Sequence, residues 1–278
     1  MSTSFIHRNP TKEETQLLRL AISTFCDGSG QESESNGGTR PGWRDFERSV
    51  AEVMGGRASE SKELFDVVVP SSDDKSAYYG LSIKSKQLAR KTAIADLESD
   101  GRVHLEVANS PAKFWYALSG VGLTEQDFKD QKNPKLFGET VLNVIEQWHI
   151  AAAQKFDEMH RDKHLDLGKS VYMVISYNKP TASIARTYQI HSFPLQFPKN
   201  IKWEFISSKC LRGFDPKDPS STLVDWYALS GGQLKYYPST KDALYASEQF
   251  ELALPPHLSI LDKVKTYWPK EASEIGLK

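Results

Sequence analysis

The run "SVYMVISYN", residues 170–178, constrains this chain more than any other stretch. It is almost wholly apolar or β-forming and is bounded by polar turns, so it reads as a strand buried on both faces. Such a strand belongs to a sheet covered on each side. The 278 residues are enough to bury a full core, as one large domain or one domain with an appendage.

The elements around that strand are mixed. Residues 11–26 read as a helix with a Thr cap and an apolar stripe at Leu17, Leu18, Ala21 and Phe25. Residues 27–41, rich in Gly and Ser, read as a loop, either a solvated linker or a segment that orders on a partner. "GWRDFERSVAEVMGG" then places Trp43, Phe46, Val50, Val53 and Met54 on one helical face and ends on a Gly pair. Glu47 borders that face, whereas Glu52 points roughly the opposite way.

Three short strand signals follow, at 64–70, 77–86 and 102–110; the turn-rich "SSDDKS" makes the first two a hairpin. After a long helical region and the 170–178 strand come "TYQIHSF", "KWEFIS", a hairpin turning at Gly231-Gly232, and a terminal helix over 258–268. The order predicts an α/β fold. We read one domain over 1–278, with an N-terminal helix and flexible loop (1–41), a core (42–180) and a β-rich C-terminal part (181–278).

Composition narrows the class. A hydrophobic fraction of 39% and a charged fraction of 26% are those of an ordinary soluble protein. A net charge of -1 argues against a surface that is basic throughout, though not against a local basic channel. Cys26 and Cys210 cannot build a disulfide framework, and the N-terminus lacks the pattern of a signal peptide. With no apolar run long enough to span a bilayer, a cytoplasmic protein is expected.

Strand alternation isolates a set of reactive groups. In "FDVVV", Phe65, Val67 and Val69 share a face and leave Asp66 on the other. In "LSIKSK", Leu81, Ile83 and Ser85 leave Ser82, Lys84 and Lys86 opposite; in "VHLEV", His104 and Glu106 oppose Val103, Leu105 and Val107. If the three strands are neighbours, Asp66, Lys84 and Glu106 converge. Two carboxylates suit Mg²⁺, which keeps several waters and binds phosphate oxygen, and a lysine beside them positions water and offsets charge in phosphodiester hydrolysis. The second carboxylate has three candidates: Glu106 by strand alternation, Glu98, and Glu47 on the preceding helix.

A helix bearing Glu47, then Asp66, then Ser82-Ile83-Lys84, resembles the core of the PD-(D/E)XK nuclease superfamily, and more narrowly the type II restriction endonucleases. The resemblance covers about residues 42–120. Phe65 stands where the family often has Pro, and Ser82 where Asp or Glu is usual. Some restriction enzymes, including those cutting around a CCGG core, are similar in having Ser-x-Lys with the acid moved to a later Glu. Their spacing favours Glu98; "EVANSPAKFW", similar to a stretch after Ser-x-Lys in some of these enzymes, favours Glu106.

The resemblance implies a restriction-endonuclease-like mixed sheet flanked by helices, a Mg²⁺ cofactor held by Asp66 and Glu106, and Lys84 orienting the water. It implies Ser82 hydrogen-bonding in place of a metal ligand, double-stranded DNA as substrate, and a homodimer cutting a palindromic site. Lys86, Arg90 and Lys91 read either as phosphate contacts or as a solvated basic face, and Asn109 and Lys113 as further contacts. The stretch 207–221, with Lys209, Arg212 and Lys217, reads as a recognition loop or a plain surface loop. The alternatives are a repair or junction-resolving nuclease on the same core, and a DNA-binding protein whose site has decayed. His160 and His164, at a spacing that holds zinc on one helical face, lack the glutamate of a zinc protease, and no phosphate-binding glycine loop is present.

Overall fold

The computed structural model describes residues 5–34, 38–59, 64–88, 101–181 and 184–277. Helix α1 (Lys12–Ser23) opens with a capping box in which the Thr11 hydroxyl accepts from the Glu14 amide and the Glu14 carboxylate accepts from the Thr11 amide. A short 3₁₀ turn leads into the paired strands β1 (Glu32–Ser33) and β2 (Thr39–Arg40). This part of the 27–41 stretch is therefore structured. The Thr39 hydroxyl accepts the amides of Gly28 and Gly30 and donates to the Phe25 carbonyl.

Helix α2 (Trp43–Val53) buries Phe46, Val50 and Val53 as its period predicts. Trp43, assigned to the same face, instead lies exposed at the first helical residue with the Arg44 guanidinium over its ring. The chain continues through β3 (Arg57–Ala58), β4 (Val67–Pro70), β5 (Ala77–Gln87) and β6 (Leu105–Asn109). Helices α3 (Pro111–Gly120), α4 (Glu125–Lys129) and α5 (Pro134–Met159) follow. Then come β7 (His164–Leu165), β8 (Val171–Tyr177), β9 (Thr187–Pro194), β10 (Lys202–Ser207) and β11 (Cys210–Phe214). Strands β12 (Thr222–Tyr227), β13 (Gln233–Tyr236), β14 (Tyr245–Ala246) and β15 (Phe250–Glu251) precede the closing helices α6 (Ile260–Tyr267) and α7 (Pro269–Glu274).

The main sheet has the order β14-β9-β8-β5-β4-β3, with β7 beside β5 and β15 beside β9. Strands β4 and β5 form the expected antiparallel hairpin, Val67 opposite Leu81. Strand β8 lies parallel to β5, Leu81 opposite Val171 through Gln87 opposite Tyr177. A parallel neighbour requires a long crossover, which α3 to α5 supply.

As the sequence predicts, β8 is buried on both faces. Val171, Met173 and Ile175 join Val67, Leu81, Ile83, Phe46 and Val50 under α1 and α2. Tyr172 and Val174 join Val141, Ile145, Phe193 and Trp226 under α5 and the second sheet. That second sheet has the order β10-β11-β12-β13-β6.

The two sheets cross the division expected at residue 180. Strand β9 completes the main sheet beside β8, while β6 pairs with β13. Helix α5 approaches β10 closely at Gly138, where a Cβ would stand 2.1 Å from the Trp203 ring. Among the described residues, no helix is long and apolar enough to cross a membrane.

One packing detail shapes the site. Alternation puts Phe65 with Val67 and Val69, yet those valines face α2 while Phe65 lies in the opposite core. The chain bends at Asp66, outside the regular strand, because Gly80 on β5 leaves room for the Phe65 ring, which stacks on His149 at 5.9 Å. A Cβ at Gly80 would stand 2.5 Å from that ring. Gly80→Ala is therefore expected to destabilise the protein by about 1–3 kcal/mol in urea unfolding. A loss under about 0.5 kcal/mol would show that Phe65 relaxes freely.

Candidate active site

The bend at Asp66 leaves β5 without a complete backbone partner, and the Asp66 side chain takes that place. The Asp66 amide still donates to the Leu81 carbonyl at 3.0 Å, and its carbonyl accepts the Ser59 amide at 2.8 Å. Its Oδ2 accepts the Ile83 amide at 2.7 Å and the Lys84 ammonium at 3.0 Å. Lys84 Nζ also donates to the Ile83 carbonyl at 3.1 Å. The carboxylate is thereby fixed by one backbone and one charged donor, and the lysine by two acceptors, the Asp66 carboxylate and the carbonyl of the residue before it on β5.

Glu47 enters from α2, one turn beyond the helix start, and is buried. Its pKa is pushed up to about 7, first by burial and then by the negative charge of Asp66, against the pull of Lys84, Arg44 and Arg48. Asp66 and Lys84 are hydrogen-bonded to each other, and Glu47 lies within electrostatic reach of both.

Glu106 is placed differently. Strand β6 touches β5 but hydrogen-bonds to β13, with Glu106 opposite Lys235. The condition that three neighbouring strands present Asp66, Lys84 and Glu106 together is not met. Alternation reports the face of a strand, not which strand lies beside it. Glu106 is also absent from the charges that act on Glu47. Among the described residues, no three His, Cys, Asp or Glu side chains form a metal-binding cluster. Glu98, Arg90 and Lys91 lie outside the described residues.

Ser82 is buried opposite Tyr172 of β8, and among the described residues its hydroxyl makes no hydrogen bond. Lys86 is half-buried on β5, and its charge reaches His104, whose pKa burial and that charge hold down at about 4. Asn109 is exposed at the end of β6, and Lys113 lies over the Trp148 ring at 4.9 Å.

The stretch 207–221 is not one loop, since β11 runs through it. Arg212 sits on that strand with its guanidinium held by the buried Asp225 at 2.7 and 2.9 Å, which takes two of its five N–H donors. Lys209 is exposed in the β10–β11 turn, and Lys217 pairs with Asp242 at 2.5 Å. His160 and His164 do not share a helical face, because α5 ends at Met159 and His164 belongs to β7.

Arg44 and Arg48 were not singled out by the sequence reading. Their spacing about Glu47, three residues before and one after, was the available signal. No family model, no curated protein and no solved structure matches this chain.

Proposed function

We propose that the protein is a Mg²⁺-dependent endonuclease that hydrolyses both strands of a specific double-stranded DNA site, a type II restriction enzyme on a PD-(D/E)XK-like core. The observation that carries this reading is the meeting of Glu47, Asp66 and Lys84 where β4 leaves β5. Helix acid, strand-end Asp and x-Lys occur in the order such a core requires.

The donor set fits the metal. Glu47, Asp66 and the Ile83 carbonyl offer hard oxygens, and Mg²⁺ is commonly held by one or two carboxylates with water and substrate phosphate completing its shell. The pKa of Glu47 is raised first by burial and then by the charge of Asp66, and a cation would offset both. Bound there, Mg²⁺ supplies charge neutralisation at the phosphate and acidifies the attacking water.

The chain's own groups do the rest. An ammonium has three donors, of which Asp66 and Ile83 take two of Lys84's, leaving one for the water or a phosphate oxygen. Its charge opposes that which builds on the phosphate in the transition state. Glu47, ionised once the metal is bound, completes the carboxylate pair with Asp66. Ser82 fills the usual acid's position without adding a third charge beside Asp66.

One such cluster cuts one strand, so cleavage of both calls for a homodimer on a palindromic site. The test is digestion of plasmid DNA with Mg²⁺ or with EDTA. Discrete fragments that require Mg²⁺ are expected. Cutting confined to branched DNA would assign a junction-resolving activity, and DNA binding without cutting a decayed site.

A further inference from the structure

A cavity of about 380 Å³ lies near the carboxyl end of β8, where Arg40 and Arg186 face Glu34 and Glu251 beside Tyr188 and His257. Arg40 lies over the Tyr177 ring at 5.6 Å, and Tyr177 is opposite Gln87 of β5, three residues beyond Lys84. Arg40 also precedes Pro41 and Gly42, which open the helix bearing Glu47.

A single carboxylate sits between the two guanidinium groups. Glu34 Oε1 accepts from Arg186 Nη1 at 2.7 Å and lies 3.9 Å from Arg40 Nε, while Arg40 also pairs with Glu32. The Arg186 Nε–H is buried and has no acceptor among the described residues. A buried donor without an acceptor is costly, and a planar carboxylate engaged at Nη1 leaves it unmet. A tetrahedral oxyanion presents oxygens in more directions and suits the arginine fork.

We propose that Arg40 and Arg186 bind a backbone phosphate of the nucleic acid held at Glu47, Asp66 and Lys84, and that Glu34 occupies this phosphate site in the free protein. The inference rests on the endonuclease reading above. Position favours a backbone phosphate over a free anion. Three strand residues span about 10 Å, and successive phosphates advance about 3.4 Å along the duplex axis. The cavity is thus a few nucleotides from the reacting phosphate.

The wild type, Glu34→Gln, Arg186→Ala and Arg186→Lys would each be titrated with a fluorescein-labelled mixed-sequence duplex in EDTA across a salt series, with thermal unfolding measured alongside. Glu34→Gln, which releases Arg186 and leaves Arg40 paired with Glu32 alone, is expected to bind severalfold tighter. Arg186→Ala should bind about tenfold more weakly, with a log–log salt slope shallower by about 0.9. Arg186→Lys should regain the slope.

A cluster that merely pins the β1–β2 hairpin gives the opposite sign: Glu34→Gln then melts earlier and gains no affinity, which overturns the proposal. An unchanged slope in folded Arg186→Ala overturns it too; if that variant does not fold, the gain in Glu34→Gln decides. Inorganic pyrophosphate is the second probe. If it raises the melting temperature of the wild type, and more so of Glu34→Gln, but not of Arg186→Ala, while DNA binding ignores these substitutions, the site serves a free anion and the backbone assignment falls. If neither wild type nor Glu34→Gln binds the duplex, the endonuclease reading falls with it. Binding that ignores every variant removes the phosphate site alone.

Discussion

Lys84→Ala is expected to lower Mg²⁺-dependent plasmid cleavage by about 10²–10³-fold, the usual consequence of removing one preorganised donor from a transition state. The fold should survive, because Lys84 is part-exposed and, among the described residues, its ammonium bonds only to Asp66 and the Ile83 carbonyl. Circular dichroism and thermal unfolding of the variant check that. Duplex binding in EDTA should fall far less than the rate, since a single phosphate contact is one among many. Wild-type cleavage by a folded Lys84→Ala protein would remove the site altogether.

Glu47→Gln is expected to abolish detectable cleavage, while Glu106→Ala retains it, because Glu47 is the acid whose charge is coupled to Asp66 and Lys84. The reverse outcome, activity lost at Glu106 and kept at Glu47, would restore the ligand pair predicted by strand alternation.

The pH dependence separates Glu47 further. Its carboxyl moves from an ordinary value of 4.5 to about 7 on folding, so between those values the folded chain holds a proton that the unfolded chain has lost. This contribution to stability is full below about pH 4.5, declines as pH rises and is gone above about 7. Glu47→Gln should flatten that decline in urea unfolding measured across the window. Mg²⁺ favours the ionised form, so its affinity, followed by calorimetry, should rise toward about pH 7 in the wild type and not in Glu47→Gln.

Much of the site was legible along the chain. Helix periodicity placed Glu47 at the edge of the buried face of α2, and the Asp66…Lys84 pair followed from the hairpin that "SSDDKS" forms. Three features were not legible. Phe65 leaves the face that alternation assigns it because a gap at Gly80 and a stacking partner, His149, lie elsewhere in the sequence. Glu106 has the expected alternation but the wrong sheet. Arg212 meets Asp225 only because β11 and β12 pair in a particular register.

By itself, the sequence determined the mixed α/β class, the strand buried on both faces and the short list of reactive side chains. These depend on local periodicity, which a few neighbouring residues set. The tertiary structure alone decided which acid joins Asp66 and Lys84, where the chain bends to aim Asp66, and which arginines are held by carboxylates. Each of those depends on which elements become neighbours, and that is settled by burying two apolar cores at once rather than by any single segment.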